Sequence, residues 1–176
     1  MPQERIRDYI IEGLLGRGGM GSVYLATHVH LQKKAALKVL LEQFSENADI
    51  KSRFVNEASL LHDLQHKNIV QQREFFEENG RLVLVMEYVD GNPLDKMIGE
   101  EVGPIPWEKA LPLFIQILDG IGYAHSKNIV HRDIKPANVL ISKEGQVKVT
   151  DLGIAKIAGQ EFKIFDDVHP FIKVCF

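Results

Sequence analysis

The chain contains one cysteine, Cys175, among its 176 residues. A lone cysteine excludes an internal disulfide framework and fits a reducing compartment. No run approaches the roughly 18 apolar residues that mark a membrane span. The opening stretch "MPQERIRDYI" holds no apolar core of signal-peptide type. These absences set the expectation of a cytoplasmic protein with no membrane segment in this chain. Neither sign of charge dominates. The formal net charge of −3 gives no reason to expect nucleic acid or an acidic membrane as a partner. There is no internal repeat and no low-complexity tract. The composition that remains, 45% hydrophobic and 26% charged, is that of a globular protein with room for one or two small domains.

The stretch "LLGRGGMGSVYLA", residues 14–26, carries glycines at 16, 18 and 21 in a G-x-G-x-x-G pattern. Two unrelated nucleotide sites use that pattern. In a dinucleotide-binding fold the loop opens a helix whose N-terminus holds a pyrophosphate. In a protein kinase the loop joins two strands over the phosphates of ATP. The residues that follow favour strands. "SVYLAT" is β-branched and aromatic, "HVHLQKK" reads as a polar connection, and "AALKVLL" reads as another strand. No amphipathic helix follows Gly21. The position where a dinucleotide fold needs a ribose-binding acid, about 20 residues on, is Lys38.

Most lysines are solvated, and a lysine at a strand edge is the ordinary reading of Lys38. Yet Lys38 stands between apolar runs and shares a strand face with the small Ala36. That leaves room for a flat ring, and a cation there could meet phosphates under the glycine loop. The segment "DIKSRFVNEASLLHDLQHKN" has helical spacing, with Phe54, Ala58, Leu61 and Leu64 on one stripe. Glu57 falls on the same stripe. Burial of a carboxylate without a partner is costly, and Lys38 is the natural partner.

Later comes "YAHSKNIVHRDIKPANVLISKEGQVKVTDLGIAK". Taken singly, His131 reads as a core histidine and Asp133 as a turn cap. Together, "HRDIKPAN" places a basic residue, an acid, a lysine and an amide in one loop. "NVLIS" and "VKVT" form a hairpin through "KEGQ", and the second strand delivers Asp151. Phosphoryl transfer to a hydroxyl needs such groups: a carboxylate for the proton, a cation for the leaving charge, and oxygen ligands for magnesium. The pairs His28/His30 and His62/His66 have spacings seen in metal sites, but neither has an evident third ligand. "WEKALPLFIQILDGIGYAH" reads as a long amphipathic helix whose stripe is core, with Pro112 near its start removing a backbone donor that the first turn can spare.

These motifs, in this order, resemble the eukaryotic-type (Hanks-type) serine/threonine protein kinases, most closely their bacterial branch. "GRGGMGSV" resembles the glycine-rich loop, "AALK" the strand of the ATP-binding lysine, "HRDIKPAN" the catalytic loop and "DLG" the magnesium motif. The resemblance implies a two-lobed α+β kinase fold with the nucleotide between the lobes. Residues 1–86 would form the N-lobe, 87–160 the hinge and the start of a helical C-lobe, and 161–176 a divergent tail. It implies ATP and Mg2+ as cofactors and serine or threonine hydroxyls of proteins as acceptors. Asp133 would be the catalytic base and Lys135 would approach the γ-phosphate; lysine at that position is the serine/threonine pattern. Lys38, clamped by Glu57, would hold the α- and β-phosphates under Gly16, Arg17, Gly18, Gly19, Met20, Gly21 and Ser22. Leu15, Val23, Ala36 and Leu140 would sandwich the adenine. Met86 would be the gatekeeper, with backbone groups of Glu87 and Val89 facing the ring. Asn138 and Asp151 would ligate magnesium.

The chain departs from that pattern in three places. Leu152 replaces the usual phenylalanine of the magnesium motif. Gln72 stands where the family usually has an apolar residue of its internal spine. The likeness stops near Gln160, and the last 16 residues hold four of the chain's nine phenylalanines. Two expectations therefore stand side by side: a C-terminally truncated kinase of low or no activity, and a non-catalytic nucleotide-binding or interaction module built from the same residues.

Overall fold

The computed structural model describes residues 4–18, 21–40, 48–101 and 103–152, excluding the side chains of residues 49, 50, 53, 54, 56, 57, 60 and 101. The expectations for Gly19, Met20, the Glu57 and Phe54 side chains and the 161–176 tail lie outside the described residues. The chain divides into two compact units. One comprises Met1–Asp63 and Gln71–Tyr88, the other Leu64–Val70 and Val89–Phe176.

The first unit is a six-stranded sheet in the order β1-β2-β3-β4-β6-β5. Its strands are β1 (Arg5–Ile6), β2 (Tyr9–Gly18), β3 (Gly21–His28), β4 (Lys34–Leu40), β5 (Gln72–Glu78) and β6 (Arg81–Glu87). All neighbours pair antiparallel. The helix α1 (Ala48–His62) packs against β5. "AALKVL" and "RLVLVM" are apolar at nearly every position because β4 and β6 are buried on both faces. One face packs Ala26, Ala35, Leu37, Val39, Phe76, Val83 and Val85 into a core. The other face carries the residues singled out from the sequence. On α1, Ala58 and Leu61 are buried, as the helical spacing predicts.

The second unit starts with β7 (Gly91–Pro93), the short helix α2 (Leu94–Lys96) and a π-helical turn, Met97–Glu101. Then follow α3 (Trp107–Ser126), a 3-10 turn at Pro136–Asn138, β8 (Val139–Ser142) and β9 (Val147–Val149). β8 lies between β7 and β9 in a three-stranded antiparallel sheet. Its core joins Leu94, Ile117, Val139, Ile141, Val147 and Val149. The segregated sheets and helices are the expected α+β class.

Two expectations about α3 change. Pro112 is the sixth residue of the helix, beyond the four positions whose N–H groups lack an intrahelical partner. It therefore removes one helical hydrogen bond, the one to the carbonyl of the exposed Glu108. The apolar stripe is also two stripes. Ala110, Ile117, Gly120 and Ala124 are buried, whereas Trp107, Leu111, Phe114, Ile115 and Leu118 are exposed at i, i+4, i+7, i+8 and i+11. An apolar face of that length favours association. Residues 1–176 at micromolar concentration should scatter light as a species larger than a monomer. Leu111→Lys combined with Ile115→Lys should return the monomer. A monodisperse wild-type monomer would contradict this.

Candidate active site

The register of the first sheet decides what the glycine loop is. β2 and β3 pair antiparallel through Gly16↔Val23, Arg17↔Ser22 and Gly18↔Gly21. The loop thus joins two strands and opens no helix. Gly21 is obligatory by proximity: a Cβ there would lie 2.2 Å from the Val39 carbonyl oxygen. Gly16, Arg17, Gly18 and Leu15 are exposed, and Ser22 and Val23 are half-buried.

Directly paired residues of antiparallel strands share a face. Val23↔Lys38↔Leu84 and Leu25↔Ala36↔Met86 therefore form two adjacent rows on the face opposite the core. Lys38 is buried there, at 9% exposure, beside the buried Ala36 and Met86. So Val23, Ala36, Lys38 and Met86 come together as the sequence reading requires. Gln72 extends the second row through its pairing with Met86. It is buried, and among the described residues its Oε1 meets no donor. An unpaired buried amide oxygen costs about 1–3 kcal/mol, so the polar replacement at this position weakens the sheet locally. The N–H of Glu87 donates to Gln71 O at 2.9 Å and its Oε1 accepts from Gln71 N–H at 2.9 Å. The Glu87 N–H is thereby taken up within the first unit.

In the second unit, the residues of "HRDIKPAN" meet through hydrogen bonds. The Lys135 ammonium lies 2.9 Å from Asp133 Oδ2. Asn138 Nδ2 donates to the Asp133 backbone oxygen at 2.8 Å and to Asp133 Oδ2 at 2.9 Å. This fixes the loop and orients the Asn138 amide, so that its oxygen is the atom left for a cation. Thr150, just before Asp151, is held at both backbone groups. Its N–H donates to Asn138 O at 2.9 Å, and its carbonyl accepts from His131 Nε2 at 2.9 Å. Asn138 and Asp151 are thereby fixed relative to each other. Arg132 and Asp151 adopt positive φ, 67° and 58°, a strained conformation for non-glycine residues that clusters at functional sites. Leu152 is buried, as an apolar replacement of phenylalanine requires. Leu140, on β8, is half-buried, and so is Val89, the first residue of the second unit's long segment.

His131 was legible only as a core histidine, and Thr150 not at all. The bonds of His131 fix its tautomer: Nε2–H donates to Thr150 O, and Nδ1 accepts from the Asp133 N–H at 3.3 Å. Protonation of Nδ1 would break the second bond. Burial holds the His131 pKa below its usual value, against the opposing pull of the Thr150 carbonyl, Asp151 and Asp133. Between the depressed value and the ordinary 6.5, the unfolded chain binds more protons than the folded one. Stability from this group is complete above about pH 6.5 and is lost as pH falls towards the depressed value. The urea midpoint should therefore drop from pH 7.5 to pH 5.5, and His131→Phe should shrink that drop. An unchanged drop would remove His131 as a source.

Among the described residues no three histidine, cysteine or acidic side chains converge on one metal. The donor set fits magnesium nonetheless. Magnesium takes few protein oxygens and keeps water and phosphate oxygens for the rest. An oriented amide oxygen and a carboxylate, Asn138 and Asp151, are of that kind. One histidine of each pair accepts from the backbone instead, His66 Nδ1 from the Asn68 N–H at 3.2 Å. His28 Nδ1 accepts from the N–H groups of His30 and Leu31, and His66 stacks on Tyr123 with centroids 4.9 Å apart.

The protein kinase domain family model matches residues 9–169. The chain belongs to the protein kinase family. This kinase chain is 42% identical over 146 residues to the serine/threonine-protein kinase pkn2 of Myxococcus xanthus, covering 81% of this chain and 17% of that protein. It is 42% identical over 147 residues to PrkC of Bacillus subtilis, covering 84% and 22%. The PknI kinase domain of Mycobacterium tuberculosis superimposes with a TM-score of 0.76 at 29% identity, over 88% of this chain and 63% of that domain. The kinase chain thus spans about a fifth of the length of these curated relatives and less than two thirds of that solved domain. No helix among its described residues is long and apolar enough to cross a membrane.

Proposed function

We propose that this chain binds magnesium-ATP and, within a whole kinase domain, transfers the γ-phosphate to serine or threonine hydroxyls of proteins in the cytoplasm. The observation that carries the proposal is the hydrogen-bonded set Asp133, Lys135, Asn138 and Thr150–Asp151. Asp133 accepts the proton of the attacking hydroxyl. The hydroxyl oxygen bonds the γ-phosphorus as the bond to ADP breaks. Lys135, 2.9 Å from Asp133, meets the negative charge of the phosphoryl oxygens and keeps the carboxylate in place. Asn138 and Asp151 would hold magnesium, which when bound neutralises phosphate charge. Lys38 holds the α- and β-phosphates, with Glu57 as its clamp, and the glycine loop from Gly16 to Ser22 covers them. Leu15, Val23, Ala36 and Leu140 offer apolar surface to the adenine ring; Met86, Glu87 and Val89 line its edge.

A second reading, a non-catalytic nucleotide-binding module, draws on Gln72, a buried polar residue where the family usually has an apolar one. Both readings share nucleotide binding. Titration of residues 1–176 with a fluorescent ATP analogue should show saturable, magnesium-dependent binding. Its absence would sink both. Incubation with radiolabelled ATP and a protein acceptor then separates them, because only the first yields labelled phosphoserine or phosphothreonine. Phosphotyrosine as the main product would overturn the role given to Lys135.

A further inference from the structure

Residues 64–70 precede β5 in the chain but belong to the second unit. They close the outer edge of β9. On its inner edge β9 pairs with β8. On its outer edge Val149 forms a parallel bridge with Ile69; its N–H donates to Asn68 O at 2.9 Å, and its carbonyl accepts from Val70 N–H at 2.8 Å. One residue pair further back, no strand continues. There two side chains take over. Asn68 Nδ2 donates to Val147 O at 2.8 Å, and Gln116 Oε1 accepts from Val147 N–H at 3.1 Å. Asn68 Nδ2 also donates to Gln116 Oε1 at 3.1 Å, so the two amides are joined to each other.

The clamp is built into the unit's interior. Asn68 is 1% exposed. A Cβ at Gly120 would lie 2.8 Å from Asn68 O, so the glycine is what lets α3 approach this closely. Lys67 reaches Asp119 on the same helix at 3.2 Å, and His66 stacks on Tyr123 one turn later. Strand β9 has only three residues. Its pairing with β8 covers only those three residues, so the outer edge shares in holding the chain that runs through Thr150 to Asp151. Two residues past Val149 stands Asp151.

We infer that Asn68 and Gln116 are positioning residues for Asp151: their linked amides fix β9 and so set where the Asp151 carboxylate stands. The inference rests on the proposed role of Asp151 as a magnesium ligand. Groups behind a metal ligand change metal affinity by about 10–100-fold when removed. A general packing role would change nucleotide affinity with and without metal alike. The two roles therefore separate in one experiment.

Residues 1–176 are titrated with a fluorescent ATP analogue, first in EDTA and then at fixed analogue with increasing Mg2+. Gln116→Leu keeps the bulk of the side chain and removes the acceptor. It should raise the Mg2+ concentration for half-saturation about 10-fold or more and leave affinity in EDTA unchanged. Gln116→Glu keeps an acceptor for both donors and should restore the wild-type Mg2+ requirement. Should Gln116→Leu fail to fold, Asn68→Asp, which removes the donor to Val147 O, should give the same Mg2+ shift. A wild-type Mg2+ requirement in a folded variant overturns the inference. So does an equal loss of affinity with and without metal. A wild-type chain that binds the analogue without regard to Mg2+ instead removes the reading of Asp151 itself, and the clamp's role with it.

Discussion

Asp133→Asn should lower phosphate transfer by about 100- to 10,000-fold, the usual range for loss of a positioned general base, and leave nucleotide affinity close to wild type. The expectation comes from where the two Asp133 oxygens and their partners lie. Asn138 Nδ2 and Lys135 Nζ both meet Oδ2, each at 2.9 Å. An asparagine keeps the shape of the group and has no carboxylate to take a proton. If its amide nitrogen occupied the Oδ2 position, it would also place a donor against two donors. The assay is single-turnover transfer of radiolabelled phosphate to a serine peptide. It uses this chain within a whole kinase domain. Transfer within a few-fold of wild type would remove Asp133 as the base.

Lys38→Ala should weaken magnesium-ATP binding by about 10- to 100-fold, since a hydrogen bond to a charged group contributes about 1.5–3 kcal/mol. Lys38 is buried on the face it shares with Ala36, with Val23 and Leu84 in register beside it. At a buried position the attraction of its ammonium to phosphate is weakly screened. Lys38→Arg should recover little of the loss, because a planar guanidinium does not place its charge where the compact ammonium does. The titration with the fluorescent ATP analogue reads both variants. Equal affinity in wild type and Lys38→Ala would remove Lys38 from the site, while leaving the Asp133 prediction standing.

The helix α3 shows why some expectations changed. Its period placed the helix correctly over "WEKALPLFIQILDGIGYAH". The same period did not say how much of its apolar surface this chain covers. Two stripes, one buried and one exposed, have the same repeat. Gln72 gives the opposite case. Its departure from the family pattern stands in the sequence, but the unpaired Oε1 that makes it costly depends on what surrounds it.

What the sequence determined by itself is local and periodic. Alternation in "AALK" put Ala36 and Lys38 on one face. The absence of a helix pattern after Gly21 made the glycine loop a strand-to-strand connection. The single loop "HRDIKPAN" brought Asp133, Lys135 and Asn138 within reach of one another, because six residues of one loop cannot travel far apart. Tertiary structure alone decided the rest, since it depends on groups distant in the chain. Sheet register placed Val23 and Met86 beside Lys38 and Ala36. Thr150 joined His131 to Asn138 through backbone atoms, which every residue possesses and no side-chain pattern announces. Asn68 and Gln116 met across 48 positions of sequence. Each is an ordinary polar residue until the fold sets both amides against one strand edge. There an unmet N–H or C=O is expensive, and two side chains do what a neighbouring strand would otherwise do.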